Sequence, residues 1–186
     1  MTTTYILDGI WGTHGRWERL RRAVEQDSGP CHIYRYENTG LVSLEVLAAR
    51  LVAELHQHGG PFHLIGYSMG GLVIREAIRQ AADLPLQRAA LLHSPHEGSL
   101  AACFLPLVAC REMRPGSAFL QRLNEFEWSH PTLVTWCATD LMVLPGKSAC
   151  WRRATRSVRS DIPAHAWPIM SRTIHRSVIS FLNEKH

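Results

Sequence analysis

Cysteine is scarce in this chain and scattered through it. The five residues are Cys31, Cys103, Cys110, Cys137 and Cys150. The number is odd and no Cys-x-x-Cys pair occurs, which excludes a disulfide framework and points to reduced thiols inside a cell. No stretch approaches the ~20 consecutive apolar residues that span a bilayer. The opening "MTTTYILDGIWG" has no basic segment ahead of a long apolar run, so neither a signal peptide nor stable membrane insertion is expected. These absences together predict a soluble, cytoplasmic protein. No Gly-x-Gly-x-x-Gly or Walker-type loop occurs, and no His/Cys/Asp group has metal-ligand spacing, so no metal and no organic cofactor is expected. Excess charge of one sign is small, at +4. Much of it falls between Lys147 and Arg172, where Arg152, Arg153, Arg156 and Arg159 cluster. That cluster lacks the interleaved aromatics and the motif of a nucleic-acid surface, so no nucleic-acid partner is expected. It reads as a solvated face, with attraction of an anionic substrate as the alternative.

The 186 residues, 46% of them hydrophobic, suffice for one globular domain over 1–186. A chain of this size buries roughly 70% of its unfolded surface and needs no covalent staples. Apolar runs and helical periodicity alternate along it. Strands are predicted over 4–10, 32–37, 62–66, 88–94, 132–140 and, more weakly, 154–161. Between them, Trp17, Leu20 and Val24 recur at helical spacing. Leu44, Leu47, Ala48, Leu51, Val52 and Leu55 form the strongest amphipathic stripe, which "HGGP" ends. Further helices are expected from Met69 onwards, over 115–127, and in a last segment carrying Ile174, Val178, Ile179 and Leu182. Strands alternating with helices, several of them apolar throughout, predict a mostly parallel sheet of about six strands covered on both faces. No repeat or low-complexity linker divides the chain.

One stretch carries chemistry. In "LIGYSMGGL" (64–72), Ser68 stands between Gly66 and Gly70, at the junction of a buried strand and the helix after it. Gly-x-Ser-x-Gly in that context forms a nucleophile elbow, which lifts the hydroxyl above the C-terminal edge of the sheet. The glycines are needed because strand and helix backbones crowd the serine from both sides. The helix N-terminus adds unpaired N–H groups and positive potential, which favour a developing oxyanion.

From "LDGIWG" through "GYSMGG", "HSPHEGS" and "ATDLMVLP" to the final histidine-plus-helix segment, the sequence resembles the α/β-hydrolase family. Within it, the sequence resembles the small lidless lipases and esterases. The resemblance implies a minimal α/β-hydrolase fold without the first two antiparallel strands. It implies the order nucleophile, acid, base. Asp140, just past the fifth strand in "DLMVLP", is the expected acid, with Asp161 as alternative. His165, between the last strand and the last helix, is the expected base; His175 lies within the helical pattern. His93 and His96 precede Asp140 and break the order, leaving them as pocket-lining residues. The resemblance assigns the oxyanion hole to the backbone N–H groups of Met69 and Ile10. Where the family usually reads His-Gly-x, this chain has Asp8-Gly9-Ile10, which brings a carboxylate near the site. Trp11 and Tyr67 are expected to contact substrate, and Met69, Phe104, Leu105 and Leu107 are candidates for an acyl pocket.

The expected activity is hydrolysis of a small-molecule acyl ester through Ser68, His165 and Asp140 and an acyl-enzyme. A thioesterase or acyltransferase using the arginine cluster, and a non-catalytic binding protein on the same fold, are the alternatives. The sequence sets no oligomeric state. A chain this short leaves little room for a lid, so an exposed site without interfacial activation is expected.

Overall fold

The computed structural model describes residues 2–160, 165 and 167–184. Six strands form one sheet: β1 (Thr3–Leu7), β2 (Cys31–Tyr34), β3 (Phe62–Tyr67), β4 (Leu86–Leu92), β5 (Thr132–Trp136) and β6 (Arg156–Arg159). Their spatial order is β2-β1-β3-β4-β5-β6 and every pairing is parallel. The expected mostly parallel sheet of about six strands is therefore entirely parallel.

Alternation along each strand divides the core in two. Tyr5, Leu7, Phe62, Leu64, Ala89 and Leu91 face one way, against α2 (Leu44–His58), α3 (Met69–Gln80), α4 (Val108–Glu112) and α5 (Ala118–Glu125). Ile6, Ile65, Tyr67, Ala90 and Leu92 face the other, against α1 (Glu18–Ser28) and α6 (Arg172–Leu182). Both faces are buried, which is why the central strands read as unbroken apolar runs. The stripe expected on α2 is the buried one, with Leu44, Leu47, Ala48, Leu51 and Leu55 in the core and Val52 at its border. Ser43 caps its start by accepting the Val46 N–H.

Strand ends differ from expectation where the apolar run continues into a turn. Residues 8–10 leave β1 because Gly12 N–H turns back to the Gly9 carbonyl and Trp11 N–H bonds Asn38 across the loop. Residues 137–140 leave β5 in a turn closed by Asp140 N–H on the Cys137 carbonyl. The helix expected over 115–127 is shorter, because Ser117 caps it through the Leu120 N–H. The five-residue α4 has no sequence period long enough to announce it. Since all strands run the same way, the residues following β1, β3, β4, β5 and β6 gather along one edge.

Candidate active site

Ser68 follows β3 directly and serves as the N-cap position of α3, at φ 52 and ψ −120. This left-handed backbone is rare for a residue with a side chain, and the packing around it enforces the conformation. A Cβ on Gly66 would meet the Gly71 Cα at 2.6 Å, and one on Gly70 would lie 2.6 Å from the Leu7 and Asp8 carbonyl oxygens. Strand and helix thus pass too closely for any other residue on either side of the serine. The Ser68 N–H continues the sheet by bonding the Leu92 carbonyl at 2.8 Å.

The structure brings Ser68, His165 and Asp140 together. His165 Nε2 lies 3.0 Å from Ser68 Oγ, and its Nδ1 lies 2.7 Å from Asp140 Oδ2. Asp140 is buried, and its Oδ1 accepts the Met142 and Val143 N–H groups at 2.9 and 3.1 Å. Burial pushes its carboxyl pKa up, but hydrogen bonds from His165, His93 and the Met142 amide outweigh that and hold it well below the usual range. A carboxylate accepts hydrogen bonds only, so His165 carries its proton on Nδ1, and Nε2 is left to accept from the serine. The Tyr67 hydroxyl donates to the His165 carbonyl, and the two rings lie 5.1 Å apart. Asp161 lies outside the described residues. His175 is buried on α6 with its ring bonded to the Ile169 carbonyl.

A cavity of about 340 Å³ opens beside Ser68 and His165. Ile10, Trp11, Tyr67 and Leu105 border it; Met69, Phe104 and Leu107 do not. Met69 starts α3 and turns its side chain into the core, Phe104 is 84% exposed, and Leu107 packs on the core edge. Trp11 is half exposed at φ 54, its indole N–H on the Thr39 carbonyl. Among the described residues no acceptor takes the Met69 or Ile10 N–H.

Two residues beside the site make contacts that the sequence does not announce. Arg16 borders the cavity and grips Asp8 with both edges, Nε to Oδ2 at 2.9 Å and Nη2 to Oδ1. Asp8, fully buried, also accepts the Gly9 N–H at 2.7 Å. The carboxylate that replaces the family's histidine is therefore neutralised by a guanidinium eight residues on. The second is His93, which follows β4 and lies with Nδ1 3.2 Å from Asp140 Oδ2. It does not border the cavity, and nor does His96, which stacks on Trp151 and bonds Arg75.

No metal-ligand spacing exists in sequence, yet in space the ligand atoms of His93, Asp140 and His165 lie within 4.8 Å of one another. Asp140 Oδ2 is shared by two imidazole Nδ1 atoms at hydrogen-bond distance, so protons already occupy the positions a common ion would need. The arginine cluster stands elsewhere: Arg153 bonds the Phe126 carbonyl, Arg156 pairs with Glu184, and Arg159 covers the Trp136 ring. None of the cluster borders the cavity. No helix among the described residues is long and apolar enough to cross a membrane.

A search of curated proteins by sequence returned no match. Solved structures share the fold at low identity. The chain superposes on Bacillus licheniformis lipase BlEst2 with a TM-score of 0.77 at 15% identity, over 97% of this chain and 91% of that one. For YbtT, a type II thioesterase from the yersiniabactin biosynthetic pathway, the values are 0.71 and 18%, over 97% and 92%. Phospholipase PlaB from Legionella pneumophila, in complex with thio-NAD, matches at 0.62 and 18%, over 73% of this chain; the match spans 38% of PlaB itself. The sequence profile of the alpha/beta hydrolase family runs through residues 9–180, from the turn after β1 almost to the end of α6, and the chain belongs to that family.

Proposed function

We propose that this protein is a serine hydrolase that cleaves small-molecule carboxylic esters. The observation that carries this reading is the 3.0 Å approach of His165 Nε2 to a serine hydroxyl, with the far nitrogen of the same ring 2.7 Å from a buried carboxylate. Ser68 Oγ attacks the acyl carbonyl carbon and its proton passes to His165 Nε2. Asp140 holds the ring in orientation and stabilises the imidazolium. The N–H groups of Met69 and Ile10 receive the oxyanion. As the tetrahedral adduct collapses, Nε2 returns the proton to the departing alcohol and leaves an acyl-enzyme. Water, deprotonated by the same nitrogen, then releases the acid. The sequence of steps requires neither metal nor organic cofactor.

Trp11, Tyr67, Ile10 and Leu105 give the cavity a mostly apolar wall for the acyl part, with Arg16 as its charged member. An oxygen ester is favoured over an anionic thioester because the arginines of 152–159 stand away from that wall. Rates on an oxygen ester and a thioester of equal chain length separate the two.

The test that needs no knowledge of the substrate is intact-mass analysis after treatment with a small fluorophosphonate, beside Ser68→Ala. The expected result is one stoichiometric adduct on the wild type and none on the variant. An unreactive, folded wild type would overturn the esterase reading and leave a binding protein on a hydrolase fold.

A further inference from the structure

His93 has no step in the reaction just described, yet it is the second imidazole on the acid. It follows β4 immediately, is fully buried, and its Nδ1 lies 3.2 Å from the same Asp140 Oδ2 that His165 engages. A carboxylate only accepts, so this Nδ1 bears a proton. The other nitrogen, Nε2, is buried and has no hydrogen-bond partner among the described residues. The backbone is at φ 50, in the left-handed region that residues with side chains avoid. A buried imidazole with an idle nitrogen on strained backbone is a poor choice for filling space; an apolar side chain would fill it without a stranded polar atom. What the imidazole adds is its bond to Asp140.

We infer that His93 is a positioning residue for the Asp140–His165 pair. The inference rests on the reading of His165 as the base. Oδ1 of Asp140 is held by two backbone amides and Oδ2 by His93, so the carboxylate is fixed by donors from its own loop and from the residue after β4, independently of His165. The groups around His93 agree with this role: its own N–H bonds the Thr135 carbonyl at 2.9 Å, and the His165 ring meets it edge-on at 6.2 Å. Without His93, His165 would be the last side chain on Oδ2, and the carboxylate would be free to pivot about its amide-bound oxygen.

The test compares His93→Ala with His93→Asn. The asparagine amide places an N–H where Nδ1–H stood and tolerates the left-handed backbone. The first readout is the rate of fluorophosphonate labelling, with apparent affinity resolved from maximal rate. His93→Ala is expected to lower the maximal rate about tenfold, the equivalent of one charged hydrogen bond, with affinity unchanged. His93→Asn is expected to restore most of it, which a loss of packing alone would not produce. The second readout needs no reactivity: low-field imidazole N–H proton resonances. The wild type should show one from each of His93 and His165, and His93→Ala should lose the first and shift the second, because its acceptor is no longer shared. His93→Gly, which relieves the backbone, replaces the alanine variant if that does not fold. Labelling of all variants at the wild-type rate, or an asparagine variant as slow as alanine, overturns the inference while the esterase reading stands. If the wild type itself is not labelled, the esterase reading falls and the resonances decide alone: an unmoved remaining signal refutes the pairing.

Discussion

Asp8 is a carboxylate beside a site proposed to develop negative charge, and its cost there depends on Arg16. The pair is bidentate, with the acid fully buried and the guanidinium one quarter exposed at the cavity wall. The carboxylate also takes the Gly9 N–H, and the Tyr36 hydroxyl bonds the Asp8 carbonyl, so the loop bearing Ile10 is built around this residue. Truncating one partner of a buried pair leaves the other uncompensated. Asp8→Ala is expected to destabilise the fold by about 3 kcal/mol in urea unfolding, the low end for such pairs because Arg16 keeps access to water. Fluorophosphonate labelling should slow as well, through displacement of the Ile10 amide. A variant of wild-type stability and reactivity would show that the pair does not organise the loop. Nothing in the sequence links Asp8 to Arg16, because the helical spacing that pairs charges does not apply across a loop and a single 3-10 turn. The link from His93 to Asp140, 47 residues apart, is equally invisible in one dimension.

At the scale of elements, the contact of α3 with β1 and β3 positions Ser68, and its closeness depends on missing side chains. Gly70→Ala puts a methyl 2.6 Å from two main-chain oxygens, Leu7 and Asp8, neither of which can rotate away. Overpacking of this kind costs about 1–3 kcal/mol. Because the strain falls at the start of the helix, labelling of Ser68 should fall by more than the unfolded fraction explains. Labelling that simply follows the folded fraction would count against α3 as the positioning element. Elements were the level most legible in the sequence. All six strands appear in the expected order, because the central strands are buried on both faces and read as compact apolar runs; the edge strands β2 and β6 are partly exposed and more polar. Ser68 was placed from its strand end, and Asp140 and His165 from the order that the family resemblance implies; the structure sets His165 within hydrogen-bond reach of both. The ends themselves were read too long at β1 and β5: "LDGI" and "WCAT" continue the apolar texture, while tertiary hydrogen bonds turn the chain. Pocket residues were read least well, since spacing cannot tell whether Met69 or Leu105 faces a cavity.

For the whole molecule, buried histidines set the response to acid. Burial lowers the pKa values of His63, His96, His130 and His175, and for His63, with Arg88 adding to the effect, the value falls to about 4. These rings are held neutral in the folded state, whereas the unfolded chain protonates them around the ordinary 6.5. Between about 6.5 and about 4 the unfolded state therefore binds more protons, and stability falls as pH falls. Above that window the contribution is fully present. Asp140, held low, adds its own loss only below the ordinary carboxylate value of 3.8. Melting temperature followed from neutral pH downward should decline through the histidine window before the range in which Asp140 contributes; a flat profile there would refute the burial argument.

The parallel sheet also gives the molecule a front and a back. Asp8, Ser68, His93, Asp140 and His165 all emerge at the front, whereas the turns that lead into the strands, such as Gly59-Gly60-Pro61 and His130-Pro131, lie at the back. A handle attached at the back, whether a bead, a surface or a fused partner, would leave the proposed site facing the liquid. Engineering of the two ends can then proceed separately, with the front redesigned for substrate and the back for attachment.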